Sequence, residues 1–124
     1  MKTKSAKAKG RRLQQMVASA IRSAYMLSED DVRSAIMGET GADIKLSLAA
    51  KREFPFAIEC KNQEKLSIWK AIEQALKHAD VEKCRPLVVF GRNTSQTWVA
   101  MPLCVMLGNK YWGYKNDERN RADA

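Results

Sequence analysis

Asp43, Glu59 and Lys61 are the residue types that a phosphodiester-cleaving site needs. They stand in two short segments, Gly41-Ala42-Asp43-Ile44-Lys45 and Ile58-Glu59-Cys60-Lys61-Asn62. Carboxylate oxygens are the ligands that Mg2+ prefers, and the ion keeps several of its waters. A divalent cation held there polarises a phosphate and lowers the pKa of water. An ammonium group beside it orients that water or offsets charge in the transition state. An isolated Glu-x-Lys is commonly no more than an ion pair on a solvated face. The Gly-x-Asp upstream and the apolar alternation around both segments favour the chemical reading.

Both segments read as strands. Residues 42–48 place Ile44, Leu46 and Leu48 on one face and Asp43, Lys45 and Ser47 on the other. Residues 54–61 place Phe54, Phe56, Ile58 and Cys60 on an apolar face, with Ala57, Glu59 and Lys61 opposite. The intervening residues 49–53 are few enough for a hairpin loop. A turn centred near Lys51 sets Asp43 directly across from Glu59. Paired residues on one sheet face have Cβ atoms roughly 4.5–5.5 Å apart, close enough for two carboxylates to share one cation.

The pattern Gly-x-Asp, loop, then Glu-x-Lys at the end of an apolar strand resembles the PD-(D/E)XK nuclease superfamily. Within it, the chain is similar to small Holliday-junction-resolvase-like endonucleases of archaea and bacteriophages. The matching stretches are Lys9-Gly10-Arg11-Arg12-Leu13-Gln14, Met37-Gly38-Glu39-Thr40-Gly41-Ala42-Asp43-Ile44 and Ile58-Glu59-Cys60-Lys61-Asn62-Gln63-Glu64, with a further one from Trp69 through Gln74 and Ala75. The resemblance implies an α/β fold: a mixed central β-sheet with an active-site hairpin, flanked by helices, the restriction-endonuclease-like core. It implies a DNA endonuclease that uses Mg2+, with Mn2+ as substitute, on branched DNA or Holliday junctions; cutting two strands symmetrically would favour a homodimer. It implies Asp43 and Glu59 as metal ligands, the Cys60 carbonyl as a third, and Lys61 as the catalytic lysine. Two departures stand out. Ala42 replaces the proline of the family pattern. No acid precedes Glu29, so the first-helix glutamate of many members has no counterpart. Gln14 stands in its place, beside Gln15. Gln14 is either an active-site glutamine or an ordinary polar helix residue. Gln74 has the same two readings, since related nucleases bring a glutamine to the site from this helix. The alternatives are a nicking, repair or restriction-like nuclease on the same fold, or a non-catalytic DNA-binding protein with a relic site. An RNA-binding module is more distant, because no RNP-like aromatic pattern is present.

Composition agrees with a polyanion partner. The chain has 124 residues and a formal net charge of +8, enough length for one domain with one core. Lys2, Lys4, Lys7, Lys9, Arg11 and Arg12 crowd the start. Residues 1–10 are expected to form a flexible basic arm, 11–115 the nuclease domain and 116–124 a polar tail. The arm either contacts DNA phosphates, with a steep salt dependence, or only solubilises. The charged start has no apolar stretch behind it, so no secretory signal is expected. The longest apolar run, 98–107, is too short to span a bilayer and contains Pro102. Cys60, Cys84 and Cys104 form no Cys-x-x-Cys, and His78 is the single histidine. This argues against zinc and against a disulfide framework, and for free thiols in a cytoplasmic protein. No Walker-type phosphate loop is present, and one histidine makes poor material for a His-based general acid.

The remaining elements are coarse. Leu13, Met16, Val17, Ala20, Ile21 and Ala24 predict a helix over 11–26. Ser28 and Asp31 fit a capped turn before Val32. Gly38 and Gly41 mark a loop, for close approach to substrate or for a plain turn. A helix over 66–79 is expected to bury Ile68, Trp69, Ile72, Ala75, Leu76 and Ala79. Strands follow at 86–90 and 97–101, then a short closing helix opened by Pro102. The segment 110–115 interleaves lysine with Tyr111, Trp112 and Tyr114, for base stacking or for capping the core. Trp112 and residues 99–105 are candidate dimer surface.

Overall fold

The computed structural model describes residues 4–108. Helix α1 spans Lys4–Tyr25 and buries Leu13, Val17, Ala18 and Ile21, one stripe at helical spacing. It ends where Met26 turns left-handed and the Leu27 amide donates to the Arg22 carbonyl at 2.9 Å. The Arg22 guanidinium then reaches the Val32 carbonyl at 2.8 Å, tying the helix end to the first strand.

Strands β1 (Val32–Ser34) and β2 (Ile44–Leu46) pair antiparallel, with Arg33 opposite Lys45. Helix α2 (Leu48–Glu53) follows at once. Ser47 caps it, accepting from the Ala50 amide at 3.1 Å while its hydroxyl donates to Asp31 Oδ1 at 2.7 Å. Strands β3 (Phe56–Asn62) and β4 (Arg85–Gly91) run parallel, from Phe56 beside Arg85 to Asn62 beside Gly91. Helix α3 (Ile68–Glu82) is their crossover. Strand β5 (Trp98–Ala100) lies antiparallel on the far side of β4, and α4 (Leu103–Met106) closes the described chain after Pro102.

The core has two sides. Against α1 lie Val32, Ile44, Ile58, Leu87 and Val89. Against α3, Ala71 and Ala75 pack on Val88, and Ala79 lies with Ala42 and Ala57. The alanine stripe lets α3 approach the sheet closely. The fold is thus the expected one: a three-stranded mixed sheet and an antiparallel hairpin, flanked by helices. Among the described residues no helix is long and apolar enough to cross a membrane.

Several local expectations are corrected. The hairpin joins β2 to β1, not β2 to β3, because residues 48–53 form α2. Leu-Ala-Ala-Lys-Arg-Glu is a run of strong helix formers behind a serine cap, with no glycine, proline or asparagine to make a turn. Leu48, placed on the apolar strand face, is therefore exposed. Helix α1 begins by Lys4, well before the expected start at residue 11; lysine and alanine there extend an already nucleated helix. Met16, Ala20 and Ala24 are exposed on α1, and Trp69 is exposed on α3, because the buried stripes are narrower than the apolar positions in the sequence. Lys2, the aromatic segment 110–115 with Trp112, and the tail 116–124 lie outside the described residues.

Candidate active site

The hairpin and the three-stranded sheet meet at Asp43. Its amide donates to the Ile58 carbonyl at 3.0 Å, and its Oδ2 accepts from the Cys60 amide at 2.7 Å. Asp43 therefore lies along the edge of β3 that β4 does not cover. Main-chain groups alternate sides along a strand, so the Cys60 carbonyl lies on that same edge. Asp43 Oδ1 makes no hydrogen bond among the described residues. The hairpin register expected to set Asp43 across from Glu59 is not formed; Asp43 instead meets β3 at Ile58 and Cys60, through a docked strand end.

An open cleft of about 610 Å³ runs along this edge. Asp43, Cys60 and Lys61 line it from the strands, and Lys7, Arg11 and Gln14 from α1. Lys61 forms no ion pair among the described residues, so the simple salt-bridge reading of Glu-x-Lys finds no support. Gln14 lines the same cleft as Asp43. Gln74 is exposed on α3 and does not line the cleft. Of the other cations, Lys4 and Arg12 are exposed and Lys9 is half-buried, none of them lining the cleft.

The opposite wall is the loop between β1 and β2. Arg33 grips Glu39 with two hydrogen bonds of 2.9 and 2.8 Å, and Glu39 also accepts from the Ile36 amide at 3.0 Å. The guanidinium and that amide hold the Glu39 carboxyl down at about 2. Gly38 and Gly41 have φ of +84° and +93°, so turn geometry requires them. At Gly41 a Cβ would also stand 2.8 Å from the Lys45 ammonium, which bonds the Thr40 carbonyl.

Glu59 is 4 % exposed and does not line the cleft. Its side chain turns to α3, where Oε1 meets Nδ1 of His78. Burial pushes its carboxyl above the usual carboxylate range, and the nearby Asp43 charge adds to this; His78 and Lys61 pull the other way without prevailing. His78 did not emerge from the sequence as a site residue. The available signal was helical: His78 falls between Ala75 and Ala79 of the buried stripe and one turn after Gln74.

A metal site fits this donor set. A divalent cation beside Glu59 would relieve the cost that burial and the Asp43 charge place on its ionisation. Among the described residues no group of three or more histidine, cysteine, aspartate and glutamate side chains is placed to hold an ion. Mg2+ commonly takes one or two carboxylates and keeps its waters, so a donor set as small as Asp43, Glu59 and the Cys60 carbonyl is compatible with it. The Cys60 thiol is no ligand as it stands: burial and the two acids push its pKa far up, keeping it protonated.

Fold and site together define a nuclease core of the PD-(D/E)XK kind. The chain belongs to the family described as "Phage putative PDDEXK endonuclease", whose family model matches residues 5–120. Comparisons with curated proteins and with solved structures gave no significant match. PD-(D/E)XK nucleases generally use divalent metals.

Proposed function

We propose that the chain is a Mg2+-dependent DNA endonuclease whose substrate is branched DNA, the four-way junction foremost. The observation that carries this reading is the convergence of Asp43 and Lys61 with Lys7, Arg11 and Gln14 in one cleft, with Glu59 immediately behind its wall. Asp43, Glu59 and the Cys60 carbonyl hold the metal. When bound, a divalent cation supplies Lewis acidity at the scissile phosphodiester. Lys61 orients the attacking water and offsets charge on the phosphorane-like transition state. Lys7 and Arg11 bind flanking phosphates and set the strand's position over the acids. Gln14 brings an amide where many relatives have a carboxylate, so it contacts water or phosphate without adding charge. Gln74 is not assigned a contact.

A junction cut needs two active sites related by a two-fold axis, so the working unit is a homodimer. Val99 and Leu103 are more than half exposed, which supports the region 99–105 as its surface. The reading is tested by digesting linear, nicked, flapped and four-way DNA with Mg2+ and with EDTA. Cleavage of the four-way substrate in Mg2+ alone is expected. Preference for nicked or linear DNA would reassign the substrate to repair or restriction-like cleavage. Tight binding with no cleavage of any substrate would leave a DNA-binding protein with a relic site.

A further inference from the structure

We propose that His78 is a positioning residue of this site: from α3 its imidazole fixes the Glu59 carboxylate so that one oxygen remains for a cation shared with Asp43. The proposal rests on the reading of Asp43 and Glu59 as metal ligands. It adds a residue that neither the sequence pattern nor the family match assigns.

The geometry points to orientation and not to bulk. Glu59 Oε1 meets His78 Nδ1, and no other hydrogen bond restrains this side chain among the described residues. A metal-bound Glu59 is ionised and only accepts, so in that form Nδ1 is the donor of this contact. Oε2 is left uncommitted. Lys61 and Asp43 act on Glu59 through charge alone, which sets no direction. A glutamate has several rotatable bonds, and freezing them at the moment of metal binding would cost conformational entropy. His78 removes that cost in advance. Its reach depends on α3: Ala71, Ala75 and Ala79 bring the helix backbone close, and His78 projects from between the last two. Hydrogen bonds to ligating carboxylates tune metal sites in this way, and losing such a partner typically weakens metal binding by about 10–100-fold.

The test is Mn2+ binding, followed by calorimetry and by electron paramagnetic resonance, in the wild type, His78→Ala and His78→Asn. An asparagine amide nitrogen stands near the place of the ring Nδ1, so it restores the donor without the ring. We expect His78→Ala to weaken Mn2+ binding about 10–100-fold and His78→Asn to recover most of it. The metal concentration for half-maximal cleavage should rise in proportion, with turnover at saturating metal within a few-fold of wild type. DNA binding in EDTA should be equal in all forms. If His78→Ala does not give a cooperative thermal transition, His78→Leu keeps the bulk without the donor and takes its place. Mn2+ binding by His78→Ala (or His78→Leu) within twofold of wild type would overturn the proposal and leave the ligand assignment standing. Equal weakening by the alanine and asparagine variants would overturn the hydrogen-bond role in favour of packing. A wild type that binds no Mn2+ would overturn the ligand assignment and the proposal with it.

Discussion

Asp43 uses its two carboxylate oxygens differently. Oδ2 holds the Cys60 amide and Oδ1 is left to the cleft side. Asparagine can keep the first contact through its carbonyl oxygen while losing the charge, so Asp43→Asn should fold, bind DNA as well as wild type or better, and not cleave. Glu59→Gln should do the same, and it adds a stability signature. The Glu59 pKa is raised above its ordinary 4.5, chiefly by burial. Its contribution to stability is therefore full below that value and is lost as pH rises through the folded-state pKa. At neutral pH the charge opposes folding of the metal-free protein, so Glu59→Gln should melt higher there and gain nothing near pH 4. Residual cleavage near wild type, or a lower melting temperature at pH 7, would contradict these assignments. Lys61→Ala should slow cleavage roughly 10²–10³-fold, the scale of losing one transition-state charge partner. Its metal affinity should hold, because an ammonium is no ligand; single-turnover kinetics over a metal titration separates the two effects.

At the scale of elements, α1 brings cations to the cleft. Lys4, Lys7, Arg11 and Gln14 recur at three- and four-residue steps, so they share one face of the helix, and the last three line the cleft. Changing Lys4, Lys7 and Lys9 together to glutamine should weaken binding to all DNA substrates. The log–log salt slope should fall by up to about 3 units if each contacts a phosphate. Unchanged slopes would confine these lysines to solubility. Gly10 lies on the same helix, and a Cβ there meets nothing within 4 Å. Gly10→Ala should stabilise the fold by about 0.5–1 kcal/mol, read as a higher denaturation midpoint. The elements also explain what the sequence revealed. The strands of the three-stranded sheet and the Leu13, Val17 and Ile21 part of the α1 stripe follow from residue type and period, which are local. The role of 48–53 was open to the same reasoning, since Ser47 and the helix formers behind it outweigh the short spacing that suggested a turn. The burial of Ala71 in place of Trp69 was not, because only the sheet's position decides which stripe of α3 faces inward. His78 was hidden for the same reason: its partner is 19 residues away and the contact exists only after α3 has crossed over the sheet.

The whole molecule is two strand pairings joined along one line. The β1–β2 hairpin is held to β3 by the Asp43 amide on the Ile58 carbonyl and by the Asp43 carboxylate on the Cys60 amide. By contrast, β3 and β4 are paired over seven residues. Helix α1 spans the line, packing Leu13, Val17 and Ile21 against residues from both sides. Cations and acids are divided across it: the helix brings much of the excess positive charge of a +8 chain, and the strands bring the carboxylates. Such a junction opens at a lower free energy than the paired strands beside it, since fewer main-chain bonds must break there. The amides of Asp43 and Cys60 should thus take up deuterium sooner than those of Leu87 and Val89, which pair within the sheet. Uniform protection across these four amides would show a seam as firm as the strands beside it. With such a seam, the spacing between Asp43 and Glu59 is set by a tertiary contact that can breathe while the paired strands beside it stay closed.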